Sequence, residues 1–209
     1  MIEDLPPRGD ATRIVLVRHA EPSAELQSRC YGRLDAGLSA AGAFAARGLA
    51  DALAAVALAA VYTSPRERAH ATAAPIAAHR GFAPIVEEGL SELDFGDFEG
   101  RTYDEIAASH PALYTAWMRA PTTVRFPGGE SYADLRDRVG ACAVRLRARH
   151  AGDAFAIVSH GGVVRAILGH ALAMPDAAIF RLGQPYCAVS VVDWFGDEPL
   201  VRTVARQPR

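Results

Sequence analysis

The sequence predicts an α/β fold, a three-layer sandwich with a mostly parallel central sheet, helices on both faces and a small helical and loop cap. Three observations predict it. Arg13–Arg18 (Arg-Ile-Val-Leu-Val-Arg) and Phe155–Ser159 (Phe-Ala-Ile-Val-Ser) are short, uninterrupted apolar runs, the pattern of strands buried on both faces of a parallel sheet. Such runs alternate with Ala- and Leu-rich stretches of helical length, which would cover the sheet from both sides. From about 88 to 130 the alternation lapses into helix and loop with little strand. That segment is expected to lie over the carboxyl ends of the strands, as the cap of a single domain spanning 1–209.

Each element follows from local signals. After the first strand comes a loop with Pro22, Gly32 and Gly37, and Ser39 then opens a helix expected to reach about Ala57. Ala60–Thr63 reads as the next strand. In Ser64-Pro-Arg-Glu67 a capping box would pair Ser64 with Glu67, with Pro65 at the first helical position and the helix running to about His79. Ile85-Val86 offers a short strand before the Gly- and acid-rich segment Glu87 to Arg101. Thr102-Tyr-Asp-Glu105 is a second capping box, opening helical material to about Ala120. Pro121, Pro127, Gly128 and Gly129 mark a loop, and Ser131 caps a helix to about Arg149. Gly161-Gly162 lead into a helix from Val163 to Leu172. Val189–Trp194 and Leu200–Val204, parted by Gly196, close the chain as a hairpin.

Composition excludes several functions. The 209 residues carry 22 basic and 24 acidic side chains, a formal charge of −2, which gives no electrostatic footprint for nucleic acid. There is no Lys and no Asn, so every basic residue is Arg. A Schiff-base lysine, a P-loop lysine and an N-glycosylation acceptor are all ruled out. Anion recognition falls to Arg, whose planar fork stays charged at every working pH. Cys30, Cys142 and Cys187 are odd in number and dispersed, which predicts reduced thiols in a cytoplasmic protein. The first twelve residues, with Glu3, Asp4, Pro6 and Pro7, lack the apolar core of a secretory signal, and Ala40–Ala60 is interrupted by Arg47 and Asp51. No membrane segment is expected. The seven histidines show no metal-ligand spacing, so neither metal nor cofactor is expected.

Two strands end in histidine, at Arg18-His19 and at Ser159-His160-Gly161-Gly162. The glycines leave a helix N-terminus with free N–H groups, which favours an anion, and Arg18 adds a fixed cation. Arg66 and Arg68 come from a third strand-to-helix junction. Together these residues form a candidate phosphate clamp, although each alone reads equally well as structural. His70, His79, His110, His150 and His170 read as surface or packing residues, and Arg145, Arg147 and Arg149 as a solvated helix face.

Five blocks in order carry a family resemblance. Leu16-Val-Arg18-His19-Ala-Glu21 resembles the Arg-His-Gly-Glu signature of the histidine phosphatase superfamily, the phosphoglycerate mutase-like group. Arg68-Ala-His-Ala-Thr72-Ala73 resembles its Arg-Ala-x-x-Thr-Ala helix, and Leu90-Ser-Glu92 through Glu99-Gly100 its general-acid loop. Phe126-Pro-Gly-Gly-Glu130-Ser131 and Val158-Ser-His160-Gly-Gly complete the set. The resemblance implies a hydrolase of phosphoric monoesters, of the histidine acid phosphatase type. His19 would attack phosphorus, Arg18 and Arg68 would grip the non-bridging oxygens bidentately, and His160 with Gly161 would complete the clamp. Glu92 would be the proton donor, its pKa raised by Leu93, Phe95 and Phe98; Asp94, Asp97 and Glu99 are alternatives by chemistry alone.

Arg29-Cys30-Tyr31-Gly32-Arg33-Leu34-Asp35 resembles the loop that approaches phosphate, which places Tyr31 and Gly32 among the binding candidates. It is especially similar to that of α-ribazole phosphatases. Glu25 stands where several relatives carry Asn, and Ala20 replaces the common Gly; Cys30 reads as a filler. The implied partner is a small phosphorylated metabolite, α-ribazole 5′-phosphate or a sugar phosphate, for a monomer or a homodimer that engages neither nucleic acid nor membrane. Tyr31, Tyr103, Tyr114, Trp117 and Phe126 are candidates to stack on a benzimidazole. Mutase-type transfer and a silent phospho-ligand or protein binder are the alternatives. Against the mutase, the cap sets Asp94, Asp97 and Glu99 against Arg101 alone, too little positive charge to hold a three-carbon carboxylate.

Overall fold

The computed structural model describes residues 6–26 and 28–207. Its centre is β1 (Thr12–Arg18), which pairs in parallel with β4 (Ala154–Ser159) on one side and antiparallel with β5 (Val189–Phe195) on the other. β2 (Ala60–Thr63) lies beyond β4, with the two-residue β3 (Ile85–Val86) at one edge and β6 (Glu198–Arg206) at the other. The order is β3-β2-β4-β1-β5-β6, and β5 alone runs against the rest. The mostly parallel α/β sheet expected from the sequence is what forms.

Strand alternation builds two cores. Ile14, Leu16, Tyr62, Phe155 and Ile157 point to one face, where they meet α5 (Tyr132–Arg149) and α6 (Gly161–Ala171). Val15, Val17, Val61, Ala156 and Val158 point to the other, against α1 (Ala40–Ala52) and α2 (Glu67–Ala78). A third, smaller core belongs to the cap. There Phe98, Trp117, Val124 and Phe126 pack with Ile106 of α3 (Tyr103–Ser109), and α4 (Pro111–Arg119) supplies the Trp117. The β1–β5 pair also buries a charge cluster, in which Asp193 accepts from Arg13 Nε at 2.6 Å and Nη2 at 2.8 Å and from Arg202 Nε at 2.8 Å.

Several boundaries differ from expectation. α1 stops at Ala52 rather than near Ala57, because Arg80 Nη2 takes the carbonyls of Leu53 and Val56 at 2.6 and 2.7 Å and fixes a turn there. α2 begins at Glu67, capped by Arg66, so the expected Ser64–Glu67 box is absent. The Thr102–Glu105 and Ser131–Asp134 capping boxes both form. The arginines of α5 are not uniformly solvated. Arg147 lies 3.8 Å over the Trp194 ring and Arg145 bonds Glu87 at 2.6 Å, since both have partners on neighbouring elements. The reading of Glu3 and Asp4 lies outside the described residues.

Candidate active site

Because β1 and β4 are adjacent and parallel, with Arg18 opposite Ser159, His19 and His160 leave the sheet side by side at its carboxyl edge. Their ring centroids are 5.2 Å apart. His19 Nδ1 lies 2.7 Å from the carbonyl oxygen of Ala20. A carbonyl only accepts, so Nδ1 carries the proton and Nε2 keeps its lone pair. Burial, then the Arg68 charge, hold the ring's pKa well below its ordinary value, more than the Ala20 bond raises it; Arg18 adds to the lowering. His19 is therefore a neutral imidazole with a fixed tautomer.

His160 caps α6, and its Nε2 is 2.8 Å from Ser64 Oγ. Ser64 Oγ also accepts the Arg66 N–H at 3.3 Å, and its hydroxyl can either donate to Nε2 or accept from it. The other ring nitrogen, Nδ1, is a buried atom without a partner among the described residues. In the tautomer in which Ser64 donates to Nε2, Nδ1 carries a proton with no acceptor of its own. Burial, followed by Arg68, His19 and Arg18, also lowers the His160 pKa far below the usual value. Ser64 serves this histidine and not the helix start that its spacing suggested.

The two arginines are held differently. Arg18 donates through Nη1 to the Gln184 carbonyl and lies 4.3 Å over the Tyr186 ring, with its buried Nε unpartnered. Arg68 is fully buried, and burial, as the largest influence, lowers its pKa. Its Nη1 donates to Leu34 O at 2.7 Å and its Nη2 to Tyr31 O and Gly32 O at 3.2 and 3.0 Å, leaving Nε without an acceptor. The bidentate fork expected to grip phosphate thus holds the loop that follows His19.

Glu99 holds that loop from its other side. Its carboxylate accepts the N–H groups of Gly32, Arg33, Leu34 and Phe95 at 2.9 to 3.2 Å, which removes Glu99 from the candidate acids. The same bonds direct the Gly32 N–H to Glu99 and away from any ligand. A side chain at Gly32 would collide with the Leu93 carbonyl oxygen. Asp94 accepts from Gly96 N at 2.9 Å and Arg33 at 3.1 Å, while Glu92 faces the cleft and accepts from Leu93 N at 2.9 Å and Gly162 N at 3.1 Å. Of the acids first considered, Glu92 alone lines the cleft.

The cleft has a volume of about 550 Å³, with Arg18, His19, Glu92 and Gly162 at its base. Tyr31, Tyr103 and Trp117 line it as expected, but Tyr114 and Phe126 pack against the cap core instead. Phe180, Met118 and Pro121 add apolar wall, and Arg165 and Arg29 add charge from outside the cap. A second cavity, about 720 Å³, lies between α5, α6 and β5 and contains none of these residues. Glu25 is exposed in the turn Ala24–Leu26 and outside the cleft. The Cys30 thiol, pushed up to about 12 by burial and Glu99, is an unreactive filler.

Arg165, Phe180, Ser64 and Tyr186 were not foreseen as site residues. Arg165 had a signal, since it follows Gly161 by one helical turn. Phe180 comes from a short 3-10 helix, Asp176–Arg181, and Tyr186 from a turn, neither long enough to leave a periodic pattern. Among the described residues no group of three or more His, Cys, Asp or Glu side chains converges as metal ligands, and no helix is long and apolar enough to cross a membrane.

Comparison with known proteins identifies a family for the chain. The sequence model of the histidine phosphatase superfamily, branch 1, matches residues 14–207. A Mycobacterium tuberculosis protein described as bifunctional is 32% identical over 199 residues; these are 91% of this chain, which spans only 52% of that relative's length. Phosphoserine phosphatase 1 of Hydrogenobacter thermophilus is 32% identical over 180 residues, 86% of this chain and 85% of that one. The crystal structure of the α-ribazole phosphatase from Shigella flexneri superposes with a TM-score of 0.85 at 26% identity, covering 93% of this chain and 96% of the other.

Proposed function

The chain belongs to the histidine phosphatase superfamily, branch 1, and on that premise we propose that it hydrolyses phosphomonoesters of a small metabolite through a phosphohistidine intermediate. The single observation that carries this reading is the Nδ1-protonated, neutral His19, whose free Nε2 is available beside Arg18, Arg68 and His160.

In the first step the Nε2 lone pair forms the N–P bond as the P–O bond to the leaving alcohol breaks, and Glu92 gives its proton to the departing oxygen. Arg18, the free Nε of Arg68 and the Nδ1–H of His160 balance the charge on the transferring group without a metal ion. In the second step the Glu92 carboxylate takes a proton from water, the water oxygen bonds phosphorus, and the P–N bond breaks to release phosphate and restore His19. Residues 88–130 act as the cap of the cleft, since Phe95, Tyr103 and Trp117 come from it.

The leaving group occupies the apolar chamber above His19. α-Ribazole 5′-phosphate, the ester suggested by the motifs, has a flat base that could stack on Tyr103 and Trp117; O-phosphoserine, drawn from the name of another relative, is smaller and carries a carboxylate. Phosphate release in the presence of a chelator tests the activity. Release by the wild type and its absence in His19→Ala are expected, and equal release by both proteins would contradict the reading.

A further inference from the structure

The block Phe126-Pro-Gly-Gly-Glu130-Ser131 lines no part of the cleft, yet it lies against the loop that carries Glu92. The Glu130 N–H donates to Asp94 O at 2.9 Å, the Asp97 N–H to Pro127 O at 2.8 Å and the Asp94 N–H to Glu130 Oε2 at 3.1 Å. A Cβ on Gly129 would stand 2.4 Å from Asp94 O, so the glycine is what lets the two backbones lie this close.

Arg138 of α5 holds the same loop on the other side of Glu92. Its guanidinium carries five N–H donors, and each finds an acceptor. Nε and Nη2 donate to the two oxygens of Glu130 at 3.0 and 2.8 Å. Nη1 donates to Gly89 O at 3.1 Å and Ser91 O at 2.9 Å, and Nη2 donates also to Glu92 O at 3.4 Å. Ser159 Oγ donates to the remaining carbonyl of the run, Leu90 O, at 2.6 Å. The carbonyls of residues 89 to 92 are thus held from α5 and β4, and the chain just beyond Glu92 is held by Glu130. Arg138 and Glu130 are both mostly withdrawn from water, where a bidentate pair keeps one geometry.

Glu92 has to bring its proton to the leaving oxygen, and the heavy atoms must come within hydrogen-bond reach for the transfer to occur. Bonds from the N–H groups of Leu93 and Gly162 orient its carboxylate, but the place from which the side chain starts is set by the backbone that Arg138 and Glu130 hold. We infer that Arg138, braced by Glu130, is a positioning residue for the general acid: it fixes the backbone from which Glu92 reaches the leaving oxygen. This rests on the reading of Glu92 as the proton donor.

The test compares kcat/KM for glycerol 3-phosphate, whose alkoxide needs a proton, with that for p-nitrophenyl phosphate, whose leaving group departs without one. This constant covers only the steps up to loss of the leaving group, so the later attack by water does not enter. Arg138→Lys keeps the charge but offers three donors rather than five. It should lower kcat/KM for glycerol 3-phosphate about tenfold or more and leave p-nitrophenyl phosphate within about twofold. Glu130→Gln, which keeps the shape of its side chain, should move the ratio the same way by less, and it carries the test where Arg138→Lys fails to fold. Arg136→Lys, on the same helix with Asp137 and Asp176 as partners, should leave the ratio unchanged. In the Glu92→Gln background Arg138→Lys should cost glycerol 3-phosphate less than about twofold more, since the group it positions is gone. Equal losses on both esters, no loss from either Arg138→Lys or Glu130→Gln, or an undiminished loss in the Glu92→Gln background would overturn the positioning role. Equal slowing of both esters by Glu92→Gln alone would overturn the proton-donor reading and the positioning role with it.

Discussion

Ser64 Oγ lies 2.8 Å from His160 Nε2, across 96 residues of sequence, and this contact leaves His160 Nδ1 as the ring nitrogen without a partner. The same oxygen accepts the Arg66 N–H at 3.3 Å, and on the phosphatase reading its hydroxyl donates to the imidazole so that Nδ1 carries the proton. Replacing Ser64 with Ala frees the tautomer. We expect Ser64→Ala to lower kcat by about 10- to 100-fold with little change in KM, because the donor acts on charge that develops in the transition state. Ser64→Thr, which keeps the hydroxyl, should restore most of the rate. Steady-state kinetics of the two variants, with their pH profiles, make the comparison.

Glu92 is expected to act on the leaving oxygen. Glu92→Gln should therefore slow alkyl phosphates far more than p-nitrophenyl phosphate, whose leaving group departs without a proton. Equal slowing of both would count against Glu92 as the acid.

Gly32 stands where no side chain fits, against the Leu93 carbonyl. Gly32→Ala should lower stability by roughly 1–3 kcal/mol or more, the usual range for overpacking. It should also reduce activity, because the loop it distorts holds Arg68 through the carbonyls of Tyr31, Gly32 and Leu34. Denaturant unfolding and kcat/KM measured on one preparation would show whether both fall.

Asp193 is buried between two arginines. Burial pushes its pKa up, but the bonds from Arg13 and Arg202 outweigh that and hold it below the ordinary carboxylate value. Asp193→Ala leaves those charges uncompensated and should cost about 3–5 kcal/mol. The depressed pKa also sets the sign of its pH dependence. The stabilisation is full above the carboxyl's unfolded value and is lost as pH falls through the lower, folded value. His19 and His160, buried as neutral rings, act in the same direction at higher pH. The unfolded chain takes up their protons below about pH 6.5 while the folded chain does not, so stability should decline from pH 7 to 5. Melting temperature against pH checks this, and His19→Ala should flatten the decline.

The sequence made the sheet legible because its strands are buried on both faces. Uninterrupted, β-branched runs such as Ile14–Val17, all fully buried here, fit a strand covered on both faces. His19 and His160 were legible because each sits where such a run ends. Ser64 misled, since the spacing to Glu67 fits a capping box equally well, and only the neighbouring β4 supplies the histidine that takes its hydroxyl. Arg68 was found, but its hold on the loop carbonyls depends on where residues 31–34 fold back, which no local pattern encodes. Tyr186 reaches Arg18 from an irregular turn before β5 and left no periodic trace.

The account stands on covalent chemistry at His19, so the most direct measurement is the trapped intermediate. The enzyme would be mixed with a phosphomonoester, quenched in base to preserve an acid-labile N–P bond, digested and examined by mass spectrometry. The account predicts one added phosphoryl group on the peptide containing His19, lost on acid treatment and absent in His19→Ala. Phosphate released at full rate with no phosphoryl group on that peptide, or one carried by another residue, would contradict it.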